Sequence, residues 1–219
     1  MKRLLEGYRR FHREVYGNKR ALFAGLARRQ TPRALFITCS DSRIDPCLLT
    51  QTEPGELFIL RNAGNLVPSY ATSIGSTTAT IEYAVGVLGV KTIIVCGHTD
   101  CGVMKALLHP KRAEDLPAVT TWLAQAEATR RVVRENYGHL KGKALLAATT
   151  RENVRIQIEH LQTHPTVAAK LRKGSLAIHG WVYSIGSGEI ESYDRKRESF
   201  APLLPAPTAT GRATSSRKS

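Results

Sequence analysis

Ala34-Leu-Phe-Ile-Thr-Cys-Ser-Asp-Ser-Arg43 is the stretch on which the fold turns. An uncharged, mostly apolar run leads straight into Cys39 and then into a polar, charged turn. Thr92-Ile-Ile-Val-Cys-Gly-His-Thr-Asp-Cys-Gly102 repeats the plan, with His98 and Cys101 beyond the apolar run. Short apolar runs without polar alternation fit strands buried on both faces, as in parallel sheets. In open α/β sheets, ligands bind beyond the carboxyl ends of such strands, where the strand order reverses. If these two strands are neighbours, Cys39, His98 and Cys101 converge.

Working outward, Leu57-Phe-Ile-Leu60 and Leu176-Ala-Ile-His-Gly-Trp-Val-Tyr183 read as further strands. Helical stretches fall between them, at roughly 76–88, 117–136 and 143–162. The alternation predicts an α/β fold, a mostly parallel central β-sheet with crossover helices. Ser184-Ile-Gly-Ser-Gly-Glu-Ile-Glu-Ser-Tyr193 reads as a turn and an antiparallel edge strand near the C-terminus. Ahead of the sheet, Leu4, Leu5, Tyr8, Phe11, Val15, Leu22, Phe23 and Leu26 recur three and four apart. They predict an N-terminal helical arm over 1–30, broken at Gly17-Asn18.

The organisation expected is a single domain over 1–202 and a disordered basic tail over 203–219, rich in Pro, Ala, Thr and Ser. No apolar run is long enough to span a membrane. The N-terminus lacks the apolar centre of a secretory signal, so a cytoplasmic address is expected. Four cysteines are few for 219 residues and are not spaced as a disulfide framework. Metal binding or catalysis is the better use for them. The net charge is +14, and residues 1–33 hold ten basic and two acidic side chains. Such a surplus raises nucleic-acid binding as a rival, but no recognised motif accompanies it. The basic residues alternate with apolar ones as on a solvated helix face.

Two thiolates and an imidazole are the donors zinc prefers, and three protein ligands leave a position free for water. A closed structural site with Cys47 or Cys96 as fourth ligand is the competing arrangement. Asp41 and Arg43 favour the open one. A guanidinium can grip a carboxylate through two parallel bonds and keep it ionised in a poorly solvated place.

Together, Cys39-Ser-Asp-Ser-Arg43 and His98-Thr-Asp-Cys101 resemble the two zinc segments of β-class carbonic anhydrases, in the bacterial, cyanobacterial and plant-like branch. The likeness continues through Glu53-Pro-Gly-Glu-Leu-Phe58, Arg61-Asn-Ala-Gly-Asn65, Ile81-Glu-Tyr-Ala84 and His179-Gly-Trp-Val-Tyr183, over roughly residues 1–200. It implies zinc-dependent, reversible hydration of carbon dioxide to bicarbonate and a proton. Cys39, His98 and Cys101 would hold one zinc ion per chain, with Asp41 and Arg43 as the catalytic dyad. Gln30, Phe58, Ala63, Tyr83 and Gly102 would line the substrate pocket. That pocket lies at a dimer interface, so the resemblance implies a homodimer or higher homo-oligomer. No specific nucleic acid and no membrane partner is expected. A non-catalytic zinc scaffold is the alternative, which the retained Asp41 and Arg43 disfavour.

Two departures stand out. The family often has a Gly-Gly or Gly-x-Gly segment where this chain reads Ile74-Gly-Ser-Thr-Thr78, leaving residues 69–77 unread. Some members are also shut off by bicarbonate in a side pocket built from a tryptophan three residues before the first zinc cysteine, an arginine and a tyrosine. Arg61 and Tyr83 match, but residue 36 is Phe and lacks an indole N–H. The expected site therefore stays accessible.

Overall fold

The computed structural model describes residues 1–72 and 74–205. Six strands form one sheet: β1 (Ala34–Cys39), β2 (Leu57–Asn62), β3 (Thr92–His98), β4 (Ala177–Tyr183), β5 (Ile190–Asp194) and β6 (Ser199–Pro202). Their order is β2-β1-β3-β4-β5-β6. The first four are parallel, and β5 and β6 pair antiparallel. The chain leaves β1 for β2 on one side and returns to β3 on the other, so the order reverses between β1 and β3.

The helices are α1 (Lys2–Arg10), α2 (Arg20–Leu26), α3 (Pro46–Thr50), α4 (Ser76–Glu82), α5 (Gly102–Leu108), α6 (Pro117–Leu123), α7 (Glu127–Tyr137), α8 (Gly142–Thr163) and α9 (Pro165–Arg172). The helix begun by α1 continues as a π-helical stretch over Phe11–Tyr16 and then through Gly17 and Asn18. The break therefore falls at Lys19 and not at the expected Gly17-Asn18. Tyr83–Val87 extends α4 as a π-helical stretch. No helix among the described residues is long and apolar enough to cross a membrane.

One face of the sheet buries Leu35, Ile37, Ile93 and Val95 against Val154, Ile158 and Leu161 of α8, Val167 of α9 and Ile81 of α4. The other face is thinner. Phe36, Ile94 and Cys96 meet only Ile44, Leu49 and neighbouring strand residues such as Trp181 and Tyr183. β1 is therefore buried along its whole length, whereas β2 and β4 show partial exposure, His179 among them. The edge strand also differs from expectation. β5 is flanked on both sides, and β6 forms the edge. Ser199–Pro202 is too short to carry a strand pattern of its own.

Helix α8 reaches the sheet at close range because two strand residues lack a Cβ. A Cβ on Gly97 would lie 2.9 Å from Val154 Cγ2, and one on Gly180 would lie 2.9 Å from Val154 Cγ1. Val154 thus sits in a notch across β3 and β4.

The N-terminal arm buries no residue of α1 or α2. Lys19 Nζ donates to both carboxylate oxygens of Glu53, at 2.6 and 2.5 Å. Leu26 closes over Gly55. In the segment left unread from the sequence, Thr72 N donates to Ser69 O and Tyr70 N to Thr163 Oγ1, 2.9 Å away, before α4 begins at Ser76. Leu203 N still donates to Ile190 O. The expected tail lies outside the described residues from 206 onward.

Candidate metal centre and active site

Parallel pairing of β1 with β3 sets Thr38 beside Cys96, so both strands deliver their loops to one place. Cys39 ends β1, His98 ends β3, and Cys101 precedes the first turn of α5. The two sulfurs and a ring nitrogen of His98 all lie within 4.8 Å of one another, and all three residues are buried. The Cys39 and Cys101 sulfurs are 4.0 Å apart. That is twice a disulfide bond and near the ~3.8 Å edge of a tetrahedron with ~2.3 Å zinc–sulfur bonds.

His98 fits the same purpose. Its Nδ1 donates to Thr99 O at 2.9 Å, which leaves Nε2 with a lone pair. Nε2 is buried and has no hydrogen-bond partner. A buried nitrogen facing two sulfurs without a donor is what a metal ligand looks like. Electrostatics agree. The hydrogen bond with Cys101 pulls Cys39 down to about 4 against burial, helped by His98 and the N–H of Gly64. The same contact, together with burial, pushes Cys101 up. Two adjacent buried thiolates need a cation to ionise together. For His98, burial opposes the charge, but the neighbouring Cys39 sulfur raises it overall.

Cys47 and Cys96 stay apart. Cys96 packs with Phe36 and Ile94, and burial pushes its thiol up to about 12. Neither joins the metal-binding cluster.

Asp41 and Arg43 form the expected bidentate pair. Arg43 Nε donates to Asp41 Oδ1 at 2.9 Å and Nη2 to Oδ2 at 2.7 Å. Hydrogen bonds from Arg43 hold the Asp41 carboxyl far below its ordinary range. Its Oδ2 lies 3.8 Å from His98 Nε2, so the carboxylate faces the ligand cluster. Arg61 fixes the loop beneath. It donates to the carbonyls of Cys39 (3.1 Å), Asp41 (2.7 Å) and Ile44 (3.0 Å).

A second loop closes over Cys39. Asn62 bonds Leu66 in both directions, folding residues 62–66 so that Gly64 N donates to Cys39 Sγ at 3.4 Å. Gly64 has φ +84, and a Cβ there would meet Val103 Cγ1 at 2.6 Å. No other residue fits. From α8, Asn153 donates to Gly64 O and Gln157 accepts from Val67 N. Sequence reasoning missed these supports. The available signal was a polar row, Thr149, Asn153 and Gln157, four apart on an otherwise buried helix face.

The pocket residues divide. Ala63 and Gly102 neighbour the ligand segments, and the Ala63 carbonyl accepts from Trp122 Nε1 at 2.8 Å. Phe58 and Tyr83 pair with ring centroids 6.1 Å apart, Phe58 packing on the main core cluster and not with Cys39 and Cys101. Gln30 is exposed after α2. Arg61, Tyr83 and residue 36, the positions compared with the side pocket, do not come together within one chain. Alternation along β1 and β2 puts Phe36 and Arg61 on one sheet face and Phe58, with Tyr83, on the other. The tyrosine in the Phe36 cluster is Tyr183. A cavity of about 660 Å3 opens beside Thr99 and Asp100, but none of Cys39, Asp41, His98 and Cys101 lines it.

A family model described as carbonic anhydrase matches residues 34–190. A carbonic anhydrase of Pseudomonas aeruginosa is 49% identical over 207 residues, 94% of each chain. Among solved structures, the β-carbonic anhydrase CcaA superposes with a TM-score of 0.90 at 45% identity, over 92% of this chain and 98% of that one. One of two tetrameric β-carbonic anhydrases from Sordaria macrospora superposes at 0.73 with 32% identity, covering 87% and 92%.

Proposed function

The chain belongs to the β class of the carbonic anhydrase family and hydrates carbon dioxide reversibly to bicarbonate; from that premise we propose that the reaction runs at one zinc ion per chain held by Cys39, His98 and Cys101. The observation that carries this reading is the buried, unpartnered Nε2 of His98 facing two sulfurs. Zinc supplies a Lewis acid that makes water a nucleophile near neutral pH.

The chain's own residues do the rest. Asp41, ionised through Arg43, accepts a hydrogen bond at Oδ2 from the attacking water and so aims its lone pair at the carbon of the substrate. Arg43, bonded to both carboxylate oxygens, holds that carboxylate in its place beside the ligand cluster. Ala63 and Gly102, with Gln30, Phe58 and Tyr83, form an apolar pocket suited to an uncharged linear molecule. Carbon dioxide takes one hydroxide equivalent to become bicarbonate, and the remaining proton leaves to solvent.

Phe58 and Tyr83 lie away from their own chain's cysteines, so we assign them, with Gln30, to the site of a second copy. The tetrameric relatives from Sordaria macrospora support an assembly of at least two chains. Four free cysteines suit the reducing cytoplasm. The basic surplus needs no nucleic acid to account for it.

Stopped-flow hydration measured together with metal content tests the proposal. Turnover should rise in proportion to zinc, reaching its maximum at one ion per chain. Full turnover in zinc-free protein, or saturation at a different ratio, would overturn it.

A further inference from the structure

Asp100 stands between His98 and Cys101, inside the second of the two segments, and no task has been assigned to it. Its backbone has φ +60, a left-handed conformation that glycine adopts without the Cβ cost an aspartate bears there. A chain that keeps aspartate there gains something from the carboxylate. Capping is not the gain, because α5 starts after Cys101 and has no side-chain cap bond. The contacts of Asp100 lead elsewhere. Arg43 Nη1 donates to Asp100 Oδ2 at 3.3 Å, and Arg43 Nη2 donates to the Asp100 carbonyl at 3.2 Å. The other carboxylate oxygen is paired with Lys105, one turn into α5.

Arg43 is therefore held on two edges. Nε and Nη2 face Asp41, while Nη1 and Nη2 face Asp100. Without the second anchor, a long side chain that is 45% exposed would keep its rotamer freedom and hold Asp41 only part of the time. We infer that Asp100, braced by Lys105, is a positioning residue that locks Arg43 against Asp41 across the loops following β1 and β3. It touches neither substrate nor metal. The inference rests on the dyad reading above and deepens it.

Asp100→Gly and Asp100→Asn test it, each made in the natural chain and in Arg43→Ala. The pairs are partly solvated, so the expected loss of kcat in Asp100→Gly is modest, roughly 3- to 10-fold. KM should stay within about twofold, because the carboxylate does not touch substrate. Zinc should remain at one per chain. Melting temperature should hold or rise, since glycine accepts φ +60 without strain. Asp100→Asn, which keeps an acceptor, should lose less. In the Arg43→Ala background neither substitution should lower kcat further, because the route through Arg43 is already gone.

Loss of zinc or stability in step with activity would make Asp100 merely structural. So would an equal kcat loss in the Arg43→Ala background. Unchanged kcat in Asp100→Gly, with Arg43→Ala itself impaired, would overturn the positioning role alone. Unimpaired Arg43→Ala would overturn the dyad reading beneath it.

Discussion

Three side chains form a cluster that could hold a metal, and each rests on a different local cause: Cys39 on a strand end, His98 on a tautomer fixed by Thr99 O, Cys101 on the entry to a helix. Cys39→Ser, His98→Ala and Cys101→Ser should each weaken zinc by more than the ~10–100-fold that a lost outer partner costs. Cys47→Ser and Cys96→Ser should keep one zinc, Cys96 being packed with Phe36 on the thin sheet face. Competition against a zinc buffer reads both; tight zinc in Cys101→Ser would break the assignment. A second expectation concerns bicarbonate. Phe36 offers no N–H, and Arg61 already serves three backbone carbonyls, so no donor-rich side pocket awaits an anion. Activity should follow a single smooth titration with pH, unchanged in shape by added bicarbonate. A steep, cooperative loss toward neutral pH that bicarbonate deepens would show a switch working without the indole. The ligands and the dyad were legible in sequence because each sits within a few residues of an apolar run's end. Asp100, Asn153 and Gln157 were not, since their partners are distant in the chain. Phe58 and Tyr83 show a related limit: a motif match does not say whether a residue serves its own chain's site or that of a second copy.

At the scale of elements, the site depends on how near α8 can come to β3. Gly97 has no left-handed backbone to explain it, and replacing such a glycine by alanine would ordinarily stabilise by ~0.4–1 kcal/mol. Here the added Cβ would meet Val154 Cγ2 at 2.9 Å and Thr150 Cγ2 at 3.2 Å. Overpacking of this kind costs about 1–3 kcal/mol, so the clash decides the sign. Gly97→Ala should be destabilised in urea and should bind zinc more weakly, because His98 is the next residue. Gly180→Ala strikes the same valine from β4 and should lose stability while keeping zinc affinity. Val154→Ala should restore part of the loss in Gly97→Ala. A Gly97→Ala protein as stable as the original would refute the account. The sequence disclosed β1, β3 and α8 because buried runs and a long helix repeat their pattern many times. Helix α5, with seven residues, and strand β6, with four, are too short for any period to register. Their positions follow from tertiary contacts.

The whole molecule ends in a surface that one chain leaves open. Leu4, Leu5, Tyr8, Phe11, Val15 and Tyr16 are each 39–72% exposed along one arm, tied to the body only near Lys19 and Leu26. At ~1.5–3 kcal/mol for each large apolar side chain, full burial of these six is worth roughly 10 kcal/mol as an upper bound. Association costs about 4–15 kcal/mol before any contact counts. Reciprocal burial of two such arms doubles that bound, so the arms can carry much of an association, and a second patch would add to them. Tyr83 and Val87, 45% and 68% exposed in the segment that extends α4, supply one. It adjoins Phe58, so a surface that closed a dimer there would also bring the proposed pocket residues to a second copy. Assembly and activity should then fail together. In light scattering at micromolar concentration, the natural chain should weigh at least two chains. Leu4→Asp combined with Tyr8→Asp should shift it toward one chain and lower turnover in step, while zinc stays at one per chain because Cys39, His98 and Cys101 all come from the same chain. A natural chain that is monomeric and fully active at that concentration would separate catalysis from assembly, and would remove Phe58 and Tyr83 from the site of a second copy.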